Sequence, residues 1–251
     1  MIGHRGAASE APENSLEALA LAMELGADAL ELDVRRSSDG VLLVIHDSDL
    51  ARTSRTRGRV DEMPAARIRE ADLSDASDPL IPRWPDTVRV PTLEQVFRHF
   101  PGVEITVDVK DPSAGADVVR LIELFDRVPD TILYVDSGTG SRAFRDYRGR
   151  RATSVEQAAR LASDPSRLQA IPEREIPEVV HTPLRHDGQD LVGPAFVRAV
   201  HESGRTIQVW TVDDLPTMDW LADCGVDGII TNDVRAAAAR VGAKAPREEP
   251  Q

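Results

Sequence analysis

A chain of 251 residues, 41% of them hydrophobic and 29% charged, is long enough and mixed enough to fold around a full core, which excludes a disordered chain. Lys and Arg together number 30 against 43 Asp and Glu, and the resulting charge of −13 repels nucleic acid and anionic lipid surfaces, so a DNA or RNA partner is not expected. The single Cys224 excludes an internal disulfide. With no signal-peptide pattern and no long apolar run, the expectation is a cytoplasmic protein without membrane insertion, provided no further segment lies upstream.

The first helix is predicted in "PENSLEALALAMELGA", where Leu16, Leu19, Ala20 and Met23 recur at i, i+3, i+4 and i+7. Asn14 and Glu17 are spaced as its capping box, and Gly26 marks its stop. "ADALELDV" follows as a strand, with Ala29, Leu30, Leu32 and Val34 around Glu31 and Asp33, and "GVLLVIHD" is a further apolar run ending at His46. From about Asp47 to Pro91 the chain is polar, rich in Arg, Asp and Pro, and lacks a strong period, so it reads as an insertion, either a lid or a surface excursion. Thr92 opens a capped helix in "PTLEQVFRHF", and "GVEITVDVK" and "TILYVDS" read as strands. The stretch from about Arg142 to Leu191 is poorly patterned. Beyond it come a helix from Pro194 to Gly204, the strand "RTIQVWTV", the helix "DDLPTMDWLADCG" and the strand "VDGIITND".

Strands and helices alternating in this way predict an α/β fold, either a TIM (β/α)8 barrel or a doubly wound sheet. No dinucleotide fingerprint follows a strand, which removes the main support for the second. The expected organisation is one barrel domain over residues 1–241, with the insertion at about 47–91 and a disordered tail at 242–251.

Glu31 and Asp33, at i and i+2 of one strand, project from the same face about 6 to 7 Å apart. Seen alone the pair also fits a solvated strand face, but the apolar neighbours favour burial, and two buried carboxylates call for a hard cation such as Mg²⁺ or Ca²⁺. Asp108 and Lys110 repeat the spacing near a strand's C-terminal end, where a parallel barrel builds its site. They read as a third metal ligand and an anion-binding charge, or as a surface ion pair. His4 and His46 each follow a short apolar run, which brings both to one rim as a possible general acid and base. Together with Arg5, these groups suit phosphodiester cleavage.

The stretch from "HRGAASEAPENS" through "ELDVRR" to "VIHD" closely resembles the glycerophosphodiester phosphodiesterase family, whose hallmarks are HRG, PEN followed by Ser or Thr, E-x-D and HD. "VPTLEQVF", "TVDVK" and the terminal "VWTVDDLPTMDWLADCGVDGIITND" extend the match over most of the chain. The resemblance implies a TIM barrel that hydrolyses glycerophosphodiesters to glycerol 3-phosphate and an alcohol. It implies one divalent cation at Glu31, Asp33 and Asp108, with His4 and His46 as the acid–base pair and Arg5 and Lys110 on the phosphate. Trp210 would line the glycerol side, although a core aromatic fits its position as well, and Glu13 would support the site or the helix entry. His4 is taken as base and His46 as acid.

Three positions depart from the family pattern. Asp108 stands where glutamate is usual, Asn232 where the family more often has Thr-Asp, and only Met1, Ile2 and Gly3 precede His4, implying a short first strand or a start further upstream. The competing functions are a lysophospholipid or sphingolipid headgroup phosphodiesterase, a metal-dependent sugar isomerase on the same fold, and an inactive binding protein. A charged insertion disfavours the first, the Arg5 and Lys110 pair the second, and the retained histidines and carboxylates the third.

Overall fold

Three residues suffice for the first strand, β1 (Ile2–His4), because it is hydrogen-bonded on both sides. Ile2 pairs in parallel with Ala29 of β2 (Ala29–Arg36) and with Ile230 of β11 (Gly228–Thr231). The computed structural model describes residues 1–135, 144, 146–170 and 176–244. The ring continues from β2 through β4 (Glu104–Val109), β5 (Thr131–Tyr134) and β6 (Arg150–Arg151). On the other side β11 pairs with β10 (Thr206–Trp210), and β10 with β7 (Val179–Pro183). A parallel bridge between Ala152 and Val179 joins the two ends, giving the expected eight-stranded parallel barrel. A short hairpin of β8 (Arg185–His186) and β9 (Gln189–Asp190) lies outside it.

Alternation along the strands sets the layers. In β2 the residues Leu30, Leu32 and Val34 point outward into a cluster with Leu19, Ala22, Val96 and Phe97 of the surrounding helices, while Glu31 and Asp33 point inward. On the far side Val180, Ile207 and Val209 pack likewise against Phe196, Val197, Val200 and Leu221. The helix Leu93–His99 is capped by Thr92 as predicted, and the cap is a full capping box, with Thr92 and Gln95 bonding reciprocally. The first helix is not capped as predicted. It spans Leu16–Glu24, and Ser15 is its N-cap, accepting from Ala18 N at 3.0 Å. Asn14 is displaced from that role by its left-handed backbone (φ 58°) and spends its side chain elsewhere.

The run ending at His46 turns back along β2. β3 (Leu42–Val44) is antiparallel to β2, with Val44 opposite Val34 and Leu42 opposite Arg36, so it lies outside the parallel ring. A parallel crossover needs a dozen or more residues, whereas the turn from Ser37 to Val41 closes in a few. β2 therefore overshoots the rim, and β3 returns His46 to it. The insertion has no period because it is not built from long elements: Leu50, Val60, Ile68, Leu73, Val88 and Val90 form a separate small core with Leu43 and Ile45. The last helix, Val234–Lys244, runs past the expected start of the tail at 242, and residues 245–251 lie outside the described residues. Among the described residues no helix is long and apolar enough to cross a membrane.

Gly6 shows how tightly the first turn is held. Its φ is +87°, and a Cβ there would sit 2.4 Å from the carbonyl carbon of Ala18, whose oxygen accepts from Ala7 N at 2.9 Å. Gly6→Ala is expected to destabilise the fold by about 3 kcal/mol, combining left-handed strain with overpacking against backbone. Urea unfolding followed by circular dichroism measures it, and a loss under about 0.5 kcal/mol would contradict the close approach.

Candidate active site

Three carboxylates meet at the C-terminal mouth of the barrel. Glu31 and Asp33 come from β2 and Asp108 from β4, with Asp33 and Asp108 directly paired in register. They are only 5%, 1% and 6% exposed, which rules out the solvated strand face. One oxygen of each lies within 4.8 Å of the others, so Asp108 joins the cluster despite lacking the extra methylene of glutamate.

Buried negative charge needs compensation. Lys110 Nζ lies 2.5 Å from Asp108 Oδ2 and 3.1 Å from Asp33 Oδ1, a buried bridge rather than a surface pair. Arg5 places Nε 3.0 Å from Asp33 Oδ2, and its backbone N–H donates to Glu31 Oε2 at 3.1 Å. Arg5 reaches both through a left-handed backbone (φ 54°) at the end of β1. Asn14 then grips Asp33 from behind: Nδ2 donates to Oδ2 at 2.8 Å, and Oδ1 accepts from the Asp33 backbone N–H at 3.1 Å.

The carboxylates do not share this compensation equally. Burial opposes ionisation of Asp33, but Arg5 and Lys110 outweigh it and hold its carboxyl below the ordinary range. Glu31 is pushed well above that range by burial and by the charges of Asp33 and Asp108. The cluster is thus poised for one further positive charge, and three carboxylate oxygens are the donor set a hard divalent cation prefers.

His4 and His46 both line the cavity of about 120 Å³ that contains this cluster. His4 Nε2 lies 3.8 Å from Glu31 Oε2. Its Nδ1 lies 2.8 Å from Asn232 Oδ1, and Asn232 Nδ2 in turn donates to Asp213 Oδ2 at 2.8 Å. Because a carboxylate accepts only, Asp213 fixes the amide, so Oδ1 faces the imidazole and the proton sits on Nδ1. Nε2 is left as the basic nitrogen. Burial and the Arg5 charge lower the pKa of His4, with Asn232 partly offsetting them. This gives a role to the asparagine that the sequence left unexplained.

His46 has a different kind of partner. Its Nδ1 lies 2.7 Å from Asp47 Oδ1, and Arg52 Nε donates to Asp47 Oδ2 at 2.7 Å. Both terminal nitrogens of Arg52 bond Glu13 at 2.7 Å, and Arg5 donates to the same carboxylate at 2.8 Å. Burial opposes the charge on Asp47, but Arg52 and His46 bring its pKa down to about 2. Arg52, from the insertion, therefore ties the His46 side of the mouth to the Arg5 side. Glu13 serves this network rather than a cap.

Tyr134, His181 and Trp210 form the opposite wall of the cavity. Trp210 is 6.3 Å from Tyr134 between ring centroids and reaches the site, so it is not a plain core aromatic. Of the remaining histidines only His181 lines this cavity. Sequence reasoning gave no site role to Asn14, Asp47, Arg52, Tyr134, His181 or Asp213, although Asn14 and Asp47 stand within the PEN and HD motifs, and the others carried at most a position near a strand end. A larger groove of about 710 Å³ adjoins at Lys110 and runs past Arg35, Arg36 and Arg59.

Comparison with known proteins gives a consistent family. The model of the glycerophosphoryl diester phosphodiesterase family matches residues 4–236. A Mycobacterium tuberculosis protein named "Probable glycerophosphodiester phosphodiesterase 2" is 32% identical, over 92% of this chain and 86% of its own. A crystal structure of glycerophosphodiester phosphodiesterase from Agrobacterium tumefaciens aligns with TM-score 0.70 and 29% identity, over 94% of this chain and 98% of that one. An Oleispira antarctica phosphodiesterase, solved in complex with the product sn-glycerol-3-phosphate, shares the fold with TM-score 0.75 at 20% identity, over 96% of each chain.

Two outcomes follow from this geometry. Histidine ¹⁵N shifts should report His4 as the Nδ1–H tautomer, and Asn232→Ala should abolish that preference. A wild-type His4 protonated at Nε2 alone would contradict the assigned amide. Glu31→Gln should raise the melting temperature of the metal-free protein at neutral pH. The raised folded pKa means that ionised Glu31 opposes folding, increasingly as pH climbs above its unfolded value. The same variant should lose the stabilisation that Mg²⁺ or Ca²⁺ gives the wild type, and an unchanged cation response would remove Glu31 from the ligand set.

Proposed function

The chain belongs to the glycerophosphoryl diester phosphodiesterase family, and we propose that its barrel mouth cleaves glycerophosphodiesters with His4 and His46 as the proton-transfer pair. The observation that carries this reading is the placement of both imidazoles, from β1 and from the turn after β3, in one cavity with the buried carboxylates, Arg5 and Lys110. The products are glycerol 3-phosphate and the headgroup alcohol.

Glu31, Asp33 and Asp108 would hold one divalent cation, Mg²⁺ or Ca²⁺. When bound, that cation supplies Lewis-acid charge against the phosphate oxygens. Arg5 and Lys110 contribute fixed positive charge on the same side of the cavity, which stabilises the negative charge that builds on the non-bridging phosphate oxygens. His4 Nε2 takes the proton of the glycerol 2-hydroxyl, and the resulting oxygen attacks phosphorus to form a five-membered cyclic phosphate. His46 gives its proton to the departing headgroup oxygen. In the second half His46 takes a proton from water, the hydroxide opens the ring, and His4 returns its proton to the 2-oxygen. The partners support this division: the neutral amide of Asn232 leaves His4 free as a base, and the Asp47 carboxylate carries the charge complementary to an imidazolium. The open groove beyond Lys110 takes the departing headgroup, and Trp210 lines the glycerol side.

A barrel with this charge pattern works on soluble substrate in the cytoplasm as a single catalytic domain. Purified protein incubated with glycerophosphocholine, glycerophosphoethanolamine and lysophosphatidylcholine should release glycerol 3-phosphate from the first two with Mg²⁺ or Ca²⁺, and none with EDTA. Absence of cleavage under every metal would overturn the reading. His4→Ala and His46→Ala should each lower kcat at least about 10²-fold without unfolding. Because His4 acts deprotonated and its pKa is lowered, the acid limb of kcat/KM should fall below the ordinary histidine value of about 6.5. A limb above it would reverse the assignment of base and acid.

A further inference from the structure

One buried titratable group at the mouth has no part in the chemistry above. His181, on β7, is only 3% exposed and still lines the catalytic cavity. Its ring lies 4.3 Å from Tyr134 and 5.5 Å from Trp210 between centroids, which fixes it as the middle of the wall facing the charged cluster. Its side chain hydrogen-bonds that of Gln208, the residue beside it in register on β10. Trp210 Nε1, on the neighbouring ring, is buried without a hydrogen-bond partner. An unpaired polar atom in a buried wall is costly, and on the lining of a cavity it marks a surface shaped for a hydrogen-bonding ligand.

The charge state of His181 defines that ligand. Burial brings its pKa down to about 3, with Gln208 opposing and the charges of His4 and Lys110 adding to the shift. It is therefore neutral at physiological pH, and it serves neither as a phosphate anchor nor as a proton carrier. With one ring nitrogen engaged by Gln208, the neutral imidazole keeps the other for an alcohol, whose hydroxyl can donate or accept. The glycerol of a glycerophosphodiester has two free hydroxyls. The 2-hydroxyl is engaged by His4, and the terminal one needs partners on the uncharged side.

We propose that His181, together with Trp210 Nε1, hydrogen-bonds the terminal hydroxyl of the glycerol moiety and makes that free hydroxyl a determinant of specificity. The proposal rests on the phosphodiesterase reading and assigns it a substrate filter. Acylation of the terminal oxygen removes its O–H and adds a chain that must pass a wall packed from Tyr134 to Trp210. Lysophospholipids are thereby rejected at the same atoms that accept deacylated diesters.

The test compares glycerophosphocholine with 2-hydroxypropyl phosphocholine, which keeps the attacking hydroxyl and replaces the terminal one by hydrogen. Wild type should prefer glycerophosphocholine by at least about tenfold in kcat/KM. In His181→Phe that preference should collapse toward unity, through loss on glycerophosphocholine alone, while His181→Gln should restore part of it. Equal losses on both substrates would mark a merely structural residue and overturn the proposal, as would an undiminished preference. Thermal melts check folding, and His181→Gln carries the comparison if the phenylalanine variant does not fold. If the wild type cleaves neither substrate, the phosphodiesterase reading fails separately. Calorimetric binding of glycerol 3-phosphate against propane-1,2-diol 1-phosphate then decides the same question, with no wild-type preference overturning it.

Discussion

Three carboxylates buried within 4.8 Å of one another are the constraint around which the rest of the mouth is built. Like charges at that spacing cannot all remain ionised in a closed site unless cations face them. Arg5 and Lys110 supply two, and the elevated pKa of Glu31 records the deficit that remains. Several local oddities follow from this need. Arg5 accepts a left-handed backbone to bring its backbone N–H to Glu31 and its guanidinium to Asp33, and Gly6 accepts another so that the turn can pass the first helix. A site that is strained and short of positive charge without ligand is one that binding relaxes.

Around this cluster runs a ring of polar side chains that orient the reacting ones. One chain of bonds passes from Arg5 through Glu13, Arg52 and Asp47 to His46. Another passes from Asp213 through Asn232 to His4. They end differently, on a carboxylate for His46 and on an amide for His4, and that difference distinguishes two otherwise equivalent imidazoles. The first chain also explains the small core of the insertion. Arg52 is useful only if its backbone is held, and its carbonyl accepts from Ser77 and Asp78 at 3.1 Å within the same packed unit.

The barrel was legible in the sequence because period and punctuation agree: Thr92 and Gln95 form their capping box, and Glu31 and Asp33 alternate with outward leucines. The motif residues were legible because chemistry constrains their type. Spacing alone misled where two roles competed for one residue. Asn14 fits a cap, yet it clamps Asp33, and the next residue caps instead. Direction was also hidden, since an apolar run ending in His46 looks alike whether its strand runs with or against its neighbour. Asn232 acts through partners 19 and 228 positions away, and Arg52 reaches Glu13 across 39, relations no local pattern carries. His181 lies in the poorly patterned middle of the chain, where no motif pointed to it.

The cavity divides into two electrostatic halves, and this resolves how a protein of charge −13 handles an anionic substrate. Global charge acts over a Debye length of about 8 Å in physiological salt, whereas contact with phosphate is decided by the nearest charges in a closed site. On one side Arg5, Lys110 and the carboxylate cluster make a region whose sign a bound cation shifts toward positive. On the other, Tyr134, Trp210 and a histidine held neutral by burial present dipoles and rings only. A charged His181 would compete with the charged side for the phosphate and blur the substrate's orientation. Under the proposed reading, a neutral His181 leaves the phosphate to one half and the glycerol to the other, with the 2-hydroxyl beside His4 before any proton moves.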